Sequence, residues 1–573
     1  MTLFSSRPTH RIGLIGQNAV QTASQKRQTR VYAPNPQYVL LMHETVLLAL
    51  GLLLTMSLLA TLAHRLRVPT PIFLVVGGLL ISLLPGVPRI VLEPDLIFLV
   101  FLPPLLYEAA WFASWRELWR WRRIVLVLAF GLVILTATAV AYTAVWVIPG
   151  FTLALGFLLG GIISPPDAVA ATSVLRDVDV PKSSVSILEG ESLINDAASL
   201  IVFRFALSGV ETGTFDWQAI ALSFVSVTLI GVAVGLGVAG VFYCLYRWLN
   251  LQLRISILFT FIAPYIMYLL AEELHGSGVI AVVSGGLFLS TQSHQLFNHS
   301  MRLQNSSMWA TIIFVINGIV FTLIGLELPV ILDELKQYSY PLSTSLGYGL
   351  LMAALVIVVR LVFSLFASVF TDIAGRFITV AVRNVGWRGP IVLGWAGMRG
   401  VVSLAAALSV PLTLPNGVDF PQRPLLLLIT FVVILVTLVL QGLTLPMLAR
   451  WVRPQELIDR LPEDVQEKLI KQQLQEAALR ELNQHYQDKV ADNPLMADLK
   501  RRLETFLFAA KLTNSPEDRQ LLTTYKEATE RLHQAKRAEL TRLGKEQKMD
   551  KEVLMKAEAQ LDLEEEKRDH PIR

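Results

Sequence analysis

The chain has 573 residues, 53% hydrophobic and only 16% charged, whereas soluble domains are about 25% charged. Together with a mean hydropathy of +0.54, this composition excludes one soluble globule and indicates a polytopic membrane protein. The net charge of +4 is mild, and no concentrated basic groove points to nucleic acid as a partner. The single cysteine, Cys244, excludes an intrachain disulfide and a cysteine-based metal site.

Residues 1–41 differ from the rest of the chain. They carry five basic and no acidic residues, and they lack the long apolar core of a secretory signal peptide. We expect a disordered basic leader here, and we hypothesise that Met42, where a clean apolar segment begins, is the physiological start.

From Met42 onward, hydropathy and segment length predict an all-α membrane domain over residues 42–453, because about 20 apolar residues cross a bilayer. We expect about thirteen transmembrane helices, near residues 43–63, 70–85, 94–112, 124–148, 151–174, 184–208, 218–246, 255–271, 277–291, 308–328, 343–371, 389–411 and 424–449.

The charges of the connecting loops predict the orientation. Basic loops alternate with poorly basic ones, and an odd number of crossings places the basic loops and the C-terminus together. The positive-inside rule makes that side the cytoplasm. The basic loops are 64–67, 116–123, 176–182, 247–254, 294–302 and 376–388, and the others are 85–94, 211–216, 327–341 and 411–424.

Helix breakers interrupt two of the predicted spans. The fifth contains SPPD at 164–167 and the twelfth contains GWAGMRG at 394–400; proline removes a backbone donor and clashes with the preceding turn. If the seventh span is a linker, these two occupy equivalent positions in two six-span halves. One interpretation is that both interruptions are ordinary helix kinks. The matched pair favours a transporter of inverted repeats, with its site near the middle of the membrane.

Residues 454–573 are rich in Glu, Lys, Gln, Arg and Leu, with one glycine, Gly544. They predict a soluble, cytoplasmic helical tail, in which Ser515 and Pro516 resemble a helix start. The tail is either a solvated appendage or a dimerisation or regulatory module. With a single glycine, the tail cannot supply the Gly-rich turn that a dinucleotide-binding domain needs.

The sixth span carries polar side chains that a membrane helix rarely holds, since a buried charge costs roughly 3 kcal/mol on insertion scales. Ser192 and Asp196 are four residues apart and share a helix face, as do Glu191 and Asn195. Such oxygen ligands suit a hard alkali cation. A buried carboxylate also favours a proton, so one group that holds either ion is enough for exchange.

Three further charged residues of the spans need partners. Asp167 follows the double proline, where free N–H groups of a new helix attract an anion, and the carbonyls of Pro165 and Pro166 can face a cation. Arg399 cannot stay unpaired in the bundle, and Glu191 is its predicted partner. Glu108 either reaches the cytoplasmic edge or lines the cytoplasmic entrance as an auxiliary ligand.

Four ordered motifs carry a family resemblance. They are FLPPLLYEAAW at 101–111, SPPDAVAATSVL at 164–175, GESLINDAASLIVF at 190–203 and GWAGMRGVVSLAAALSVP at 394–411. Over residues 43–450 the chain resembles the sodium/proton antiporters of the monovalent cation:proton antiporter-1 type, the Na+/H+ exchangers. Neither the tail nor residues 1–41 carry a motif of this group.

The resemblance implies an inverted-repeat homodimer in the cell (inner) membrane with elevator-like alternating access. Asp196 is then the carboxylate that binds Na+ (or Li+) or H+, with Ser192 as co-ligand. A network from Asn195 through Glu191 to Arg399 stabilises the core. Asn195, directly before the aspartate, implies electroneutral exchange of one cation for one proton.

One motif departs from the family pattern, which has a hydroxyl residue or valine, then Asp and then Pro at the first break. Here Pro166 precedes Asp167 and Ala168 follows it, so the usual threonine ligand is missing. Ser164, or the carbonyls of Pro165 and Pro166, are the expected substitutes.

Other functions are the alternatives. The sequence separates a channel or a K+/H+ exchanger of similar architecture poorly from a Na+/H+ antiporter, because Na+, Li+ and K+ all accept oxygen ligands. An intramembrane hydrolase that uses Ser192 with Asp196 is more distant, because a nucleophilic serine needs a base and no histidine lies within a predicted span core. We therefore expect a transporter rather than an enzyme, with membrane lipid around it and no cofactor besides the transported ions.

Overall fold

The computed structural model describes residues 36–85, 97–175, 178, 180–213, 217–249, 251–337, 341–374, 386–457, 463–511, 516–545 and 551–569. Most of the predicted leader lies outside this set, as do residues 86–94 and 376–385 of two predicted loops and Ser515 of the tail. Met42 lies inside a helix, Pro36–Leu66, and its assignment as the start stays a prediction.

The described residues are helical apart from turns, loops and an isolated bridge between Thr413 and Asp419. The first half of the membrane region contains α1 (Pro36–Leu66), α2 (Thr70–Ser82), α3 (Leu102–Phe112), α4 (Trp115–Leu126), α5 (Val133–Val147), α6 (Leu153–Ile163), α7 (Ala168–Leu175), α8 (Lys182–Thr212) and α9 (Trp217–Trp248).

The second half continues with α10 (Leu253–Glu273), α11 (Gly278–Leu296), α12 (His299–Leu326), α13 (Leu328–Gln337), α14 (Leu342–Ala374), α15 (Arg388–Trp395), α16 (Val401–Leu408), α17 (Arg423–Val436) and α18 (Gly442–Val452). Short π-helical segments, which the sequence did not predict, precede α3 and join α4 to α5 and α17 to α18; they are Ile97–Phe101, Val127–Leu132 and Thr437–Gln441.

At least one helix coincides with every predicted span. In the described part of the chain, nine helical stretches are long and apolar enough to cross a membrane, and Thr70–Ser82 and Leu99–Phe112 are shorter apolar helices. The predicted all-α, multi-pass architecture is therefore confirmed, and so are the two interruptions, between α6 and α7 and between α15 and α16. The count of thirteen crossings stays a prediction.

The interrupted helix α6 is at the centre of the larger hydrophobic cluster and packs against α5, α8, α16 and α17. Glycine makes this close packing possible. A Cβ atom on Gly156 would lie 2.7 Å from the carbonyl oxygen of Ala141, and one on Gly160 would lie 2.6 Å from that of Ala137. Small residues let two helix backbones meet in this way, which places the end of α6 deep in the bundle.

The tail forms a separate compact unit, Asp459–Arg573. Its helices are α19 (Glu463–His485), α20 (Gln487–Asp492), α21 (Pro494–Lys511), α22 (Pro516–Lys545) and α23 (Lys551–Asp569). Ion pairs join α22 to α23, from Lys536 to Glu564 at 2.8 Å and from Arg537 to Asp562 at 2.6 Å. These pairs are exposed, so each adds little stability. The cytoplasmic location of the tail stays a prediction.

Candidate functional site

The first break is made by the double proline. Helix α6 ends where Ser164 N–H donates to the Gly160 carbonyl at 3.0 Å, and Pro165 and Pro166 have no N–H with which to continue it. Asp167 then starts α7, because its Oδ1 accepts from the N–H groups of Val169 at 2.8 Å and Ala170 at 3.3 Å. The carboxylate thus caps the positive end of α7, as the sequence indicated.

The second break lies against the first. The N–H of Asp167 donates to the Met398 carbonyl at 2.7 Å. A Cβ atom on Gly400, the residue before α16, would lie 1.9 Å from Asp167 Oδ2. The Asp167 carboxylate therefore lies at the start of both α7 and α16, where two helix ends carry partial positive charge.

Arg399 binds the carbonyl groups at the C-terminal ends of the interrupted helices. Its guanidinium donates to the carbonyl of Ile163 at 3.0 Å, to that of Ser164 at 3.4 Å and to that of Gly397. These carbonyls lie at the C-terminal end of α6 and just past the end of α15, where a cation is favourable. The first break thus supplies a carboxylate, Asp167, to the N-terminal helix ends. The second break supplies a guanidinium, Arg399, to the C-terminal helix ends.

The predicted pair of Glu191 with Arg399 is wrong, because Glu191 pairs with Arg360 of α14. Arg360 Nη1 lies 2.5 Å from Glu191 Oε1 and Nη2 lies 2.9 Å from Oε2, with both side chains 1% exposed. Arg399 has carbonyl acceptors instead. The sequence did contain a signal, since Arg360 is the only charged residue of the predicted span 343–371 and an intramembrane charge needs a partner.

The polar group of α8 is tied to the first break. Ser192 Oγ accepts from the N–H of Ala168 at 3.3 Å, and Asn195 Nδ2 donates to the Pro166 carbonyl at 3.4 Å. The predicted network from Asn195 to Glu191 is therefore also wrong, because the Asn195 amide points its donor to the broken helix. Asp196, 9% exposed, lies one residue further on.

A cavity of about 630 Å³ brings most of the predicted ion ligands together. Six of them line it, namely Glu108, Pro165, Pro166, Asp167, Ser192 and Asp196. Ser164 does not line it: its Oγ donates to the Gly161 carbonyl at 3.4 Å, and its own carbonyl accepts from Arg399. The cavity is also not lined by Asn195, Glu191 or Arg399.

Several polar lining residues were missed, among them Glu189 and Ser403; the others include Thr172, Ser173 and Asn317. Glu189 precedes Asp196 by seven residues, a spacing that repeats a helix face, so helical periodicity could have found it. Ser403 comes from α16, four residues after Arg399, and only the approach of the two breaks reveals it. The cavity therefore offers carboxylate, hydroxyl and carbonyl oxygens, which suit a hard cation, around a buried carboxylate that can also take a proton.

Comparisons with known proteins identify the family of this chain. A family model described as "Sodium/hydrogen exchanger, transmembrane" matches residues 52–451. An uncharacterised Na+/H+ exchanger of Mycobacterium tuberculosis is 34% identical over 426 residues, which cover 73% of this chain and 76% of that protein. The low-affinity Na+/H+ antiporter NhaS1 of Synechocystis is 34% identical over 411 residues, covering 70% and 73% of the two chains.

A sodium, potassium, lithium and rubidium/H+ antiporter of Bacillus subtilis is 31% identical over 475 residues, covering 81% of this chain and 70% of that protein. In structure, the chain is similar to the sodium proton antiporter MjNhaP1 of Methanocaldococcus jannaschii, with a TM-score of 0.56, 20% identity, and coverage of 72% of this chain and 100% of that one. At this identity the likeness concerns the fold. The extent of the family match shows that this chain belongs to the transmembrane sodium/hydrogen exchangers, which are cation/proton antiporters and not enzymes.

Proposed function

We propose that this chain exchanges Na+ or Li+ for H+, with Asp196 binding either the cation or the proton. The observation that carries the proposal is the cavity in which Asp196, Ser192, Asp167 and the two proline residues converge. Binding of one ion excludes the other at a single carboxylate. Exchange follows if the site changes sides only when Asp196 holds a cation or a proton. The empty, negatively charged site must not change sides.

The charge balance of the site supports electroneutral exchange. Glu191 is neutralised by Arg360, and Asp167 lies at the positive ends of two helices. Asn195, directly before Asp196, is neutral at every pH. Asp196 forms no ion pair among the described residues, so its negative charge is left for the transported ion. Glu108 and Glu189 also line the cavity. If these two carboxyl groups keep the same protonation state throughout the cycle, Asp196 alone exchanges one cation for one proton.

The wider arrangement that we propose is an inverted-repeat homodimer in the inner membrane, with the C-terminus in the cytoplasm. Two interrupted helices at matching positions support the repeats, and the alternation of basic loops supports the orientation. Elevator-like movement is the proposed route between the two sides. Glu108 is proposed as an auxiliary ligand, since it lines the same cavity as Asp196.

K+/H+ exchange is a second candidate. The printed name of the Bacillus subtilis relative includes potassium, lithium and rubidium besides sodium. Oxygen ligands accept all of these cations, so selectivity depends on the number of ligands and on their spacing. The transport assay below separates the two candidates.

The test of the proposed function is proton movement in everted membrane vesicles. With a respiration-generated pH gradient reported by a quenched dye, we expect Na+ and Li+ to restore the fluorescence. Asp196→Asn, which cannot exchange a proton, should reduce the response to that of vesicles without the protein. A response to K+ alone would favour the second candidate, and full activity of Asp196→Asn would overturn the assigned role of Asp196.

Electroneutrality has its own expected result. In liposomes that contain the purified protein, the initial rate of Na+-driven proton movement should stay the same when a K+/valinomycin potential of either sign is imposed. If K+ proves to be a substrate, a lipophilic cation replaces it in setting the potential. A rate that rises and falls with the potential would contradict one-for-one exchange.

A further inference from the structure

The side chain of Ser403 is a buried hydroxyl at the edge of the cavity. It is 1% exposed, lines the same cavity as Asp196, and its Oγ has no hydrogen-bond partner among the described residues. A buried polar group without a partner costs free energy. Such a group therefore indicates a partner that arrives with function, such as a ligand.

The hydroxyls of Thr136, Ser183 and Thr228 also lack a hydrogen-bond partner among the described residues, but they do not line the cavity. Many other hydroxyls of the membrane helices have a backbone acceptor. Ser409, at the C-terminal end of α16, donates to the Ala406 carbonyl at 2.8 Å, Thr430 donates to the Leu426 carbonyl at 2.9 Å, and Ser199 donates to the backbone carbonyl of Asp196 at 2.9 Å. Bonds of this kind to the preceding turn are the usual solution for serine and threonine in helices. Ser403 makes none, so its oxygen is left for the cavity.

The Asp167 carboxylate lies near the same part of the cavity. Its Oδ2 is buried against Gly400, one helical turn before Ser403. A hydroxyl has one hydrogen and two lone pairs. It can therefore donate to a carboxylate and turn a lone pair towards a cation at the same time.

Resting on the proposed function, we propose that Ser403 Oγ is a cation ligand, supplied by the second interrupted helix to the site that Asp196 and Ser192 form on α8. The cation is then held by oxygens from both halves of the chain. Because a hydroxyl adds one neutral oxygen at a fixed place, Ser403 sets the affinity for the cation and the preference between Na+ and Li+, while Asp196 performs the exchange.

The test compares three variants with a matched control in the vesicle assay. Ser403→Ala removes the oxygen, Ser403→Thr keeps it, and Ser403→Cys replaces it with a sulfur of similar size, which is a poor ligand for a hard cation. Ser409→Ala is the control, because Ser409 lies at the C-terminal end of α16, donates to the Ala406 carbonyl and does not line the cavity.

We expect Ser403→Ala and Ser403→Cys to raise the half-saturating Na+ concentration by about 10-fold, the effect of losing one neutral polar contact. The maximal rate should change much less, and the ratio of the Na+ to the Li+ value should shift. Ser409→Ala should resemble the wild type, and Ser403→Thr, which keeps the oxygen, should retain more of the affinity for Na+ than Ser403→Ala does. In purified protein, the stabilisation of folding by Na+ should weaken for Ala and Cys. The melting temperature without Na+ should not fall, because an unpartnered buried hydroxyl does not stabilise the ion-free protein.

Wild-type half-saturation and an unchanged Na+/Li+ ratio in both Ser403→Ala and Ser403→Cys would overturn the inference. A fall in maximal rate alone would do the same, because it would assign Ser403 a structural role. If Ser403→Ala does not reach the membrane, Ser403→Cys carries the comparison with Ser403→Thr. Failure of the proposed function is distinguishable, since the wild type would then show no cation response at all.

Discussion

Replacing Arg360 by alanine should destabilise the folded protein by about 3–5 kcal/mol, the cost of leaving a buried carboxylate without its partner. Arg360 and Glu191 are each 1% exposed and share two hydrogen bonds. Because α8 also carries Asp196, the loss should reduce transport as well. The measurement is the free energy of unfolding in detergent, with the amount of protein in the membrane as a second readout.

The control for this prediction is an exposed ion pair that involves α8, the helix of Glu191. Arg204 of α8 lies 2.7 Å from Glu272, with side chains 49% and 29% exposed, so Arg204→Ala should cost less than about 1 kcal/mol. The double variant Glu191→Gln with Arg360→Gln should lose less stability than the sum of the two single variants. Strict additivity would argue against the pair.

A single methyl group at Gly400 should abolish most of the transport. In Gly400→Ala, the new Cβ would lie 1.9 Å from Asp167 Oδ2 and 3.0 Å from Asp167 Cβ, so the carboxylate must leave the starts of α7 and α16. Displacement of a site group by about 1 Å can cost about 100-fold in rate. We expect a loss of that order in the vesicle assay, at equal amounts of membrane-inserted protein.

Gly389 provides the matched comparison. It lies in α15, the first half of the same interrupted helix, and no described atom is within 4 Å of the position of an added Cβ. Gly389→Ala should therefore keep near wild-type activity. Equal transport by Gly400→Ala and Gly389→Ala would show that Asp167 does not need its place between the two breaks.

Local signals predicted the helices and their interruptions well. Long apolar segments decide where helices form in a membrane, because every backbone group must find its partner within the helix. Proline at 165 and 166 makes one break predictable, and the spacing of Ser192 and Asp196 places both on one helix face. These features depend on residues that are close together in the chain.

Such local signals could not predict which side chains pair between distant helices. The sequence shows that Glu191, Arg360 and Arg399 each need a partner, but only the packing of α14 against its neighbours decides which arginine reaches the glutamate. Arg399 found its acceptors in backbone carbonyls, which carry no residue-specific signal. Ser403 went unnoticed for a related reason, since an isolated serine in an apolar helix usually bonds to its own backbone.

The bonds between the two breaks have a mechanical consequence. Arg399 and Ile163 are 236 residues apart in the chain, yet they are joined directly, and the N–H of Asp167 is bonded to the Met398 carbonyl. A displacement of one crossing stretch therefore pulls the other with it. If these stretches move during transport, we expect them to move together as one rigid unit, with the flexibility in the helices that surround them.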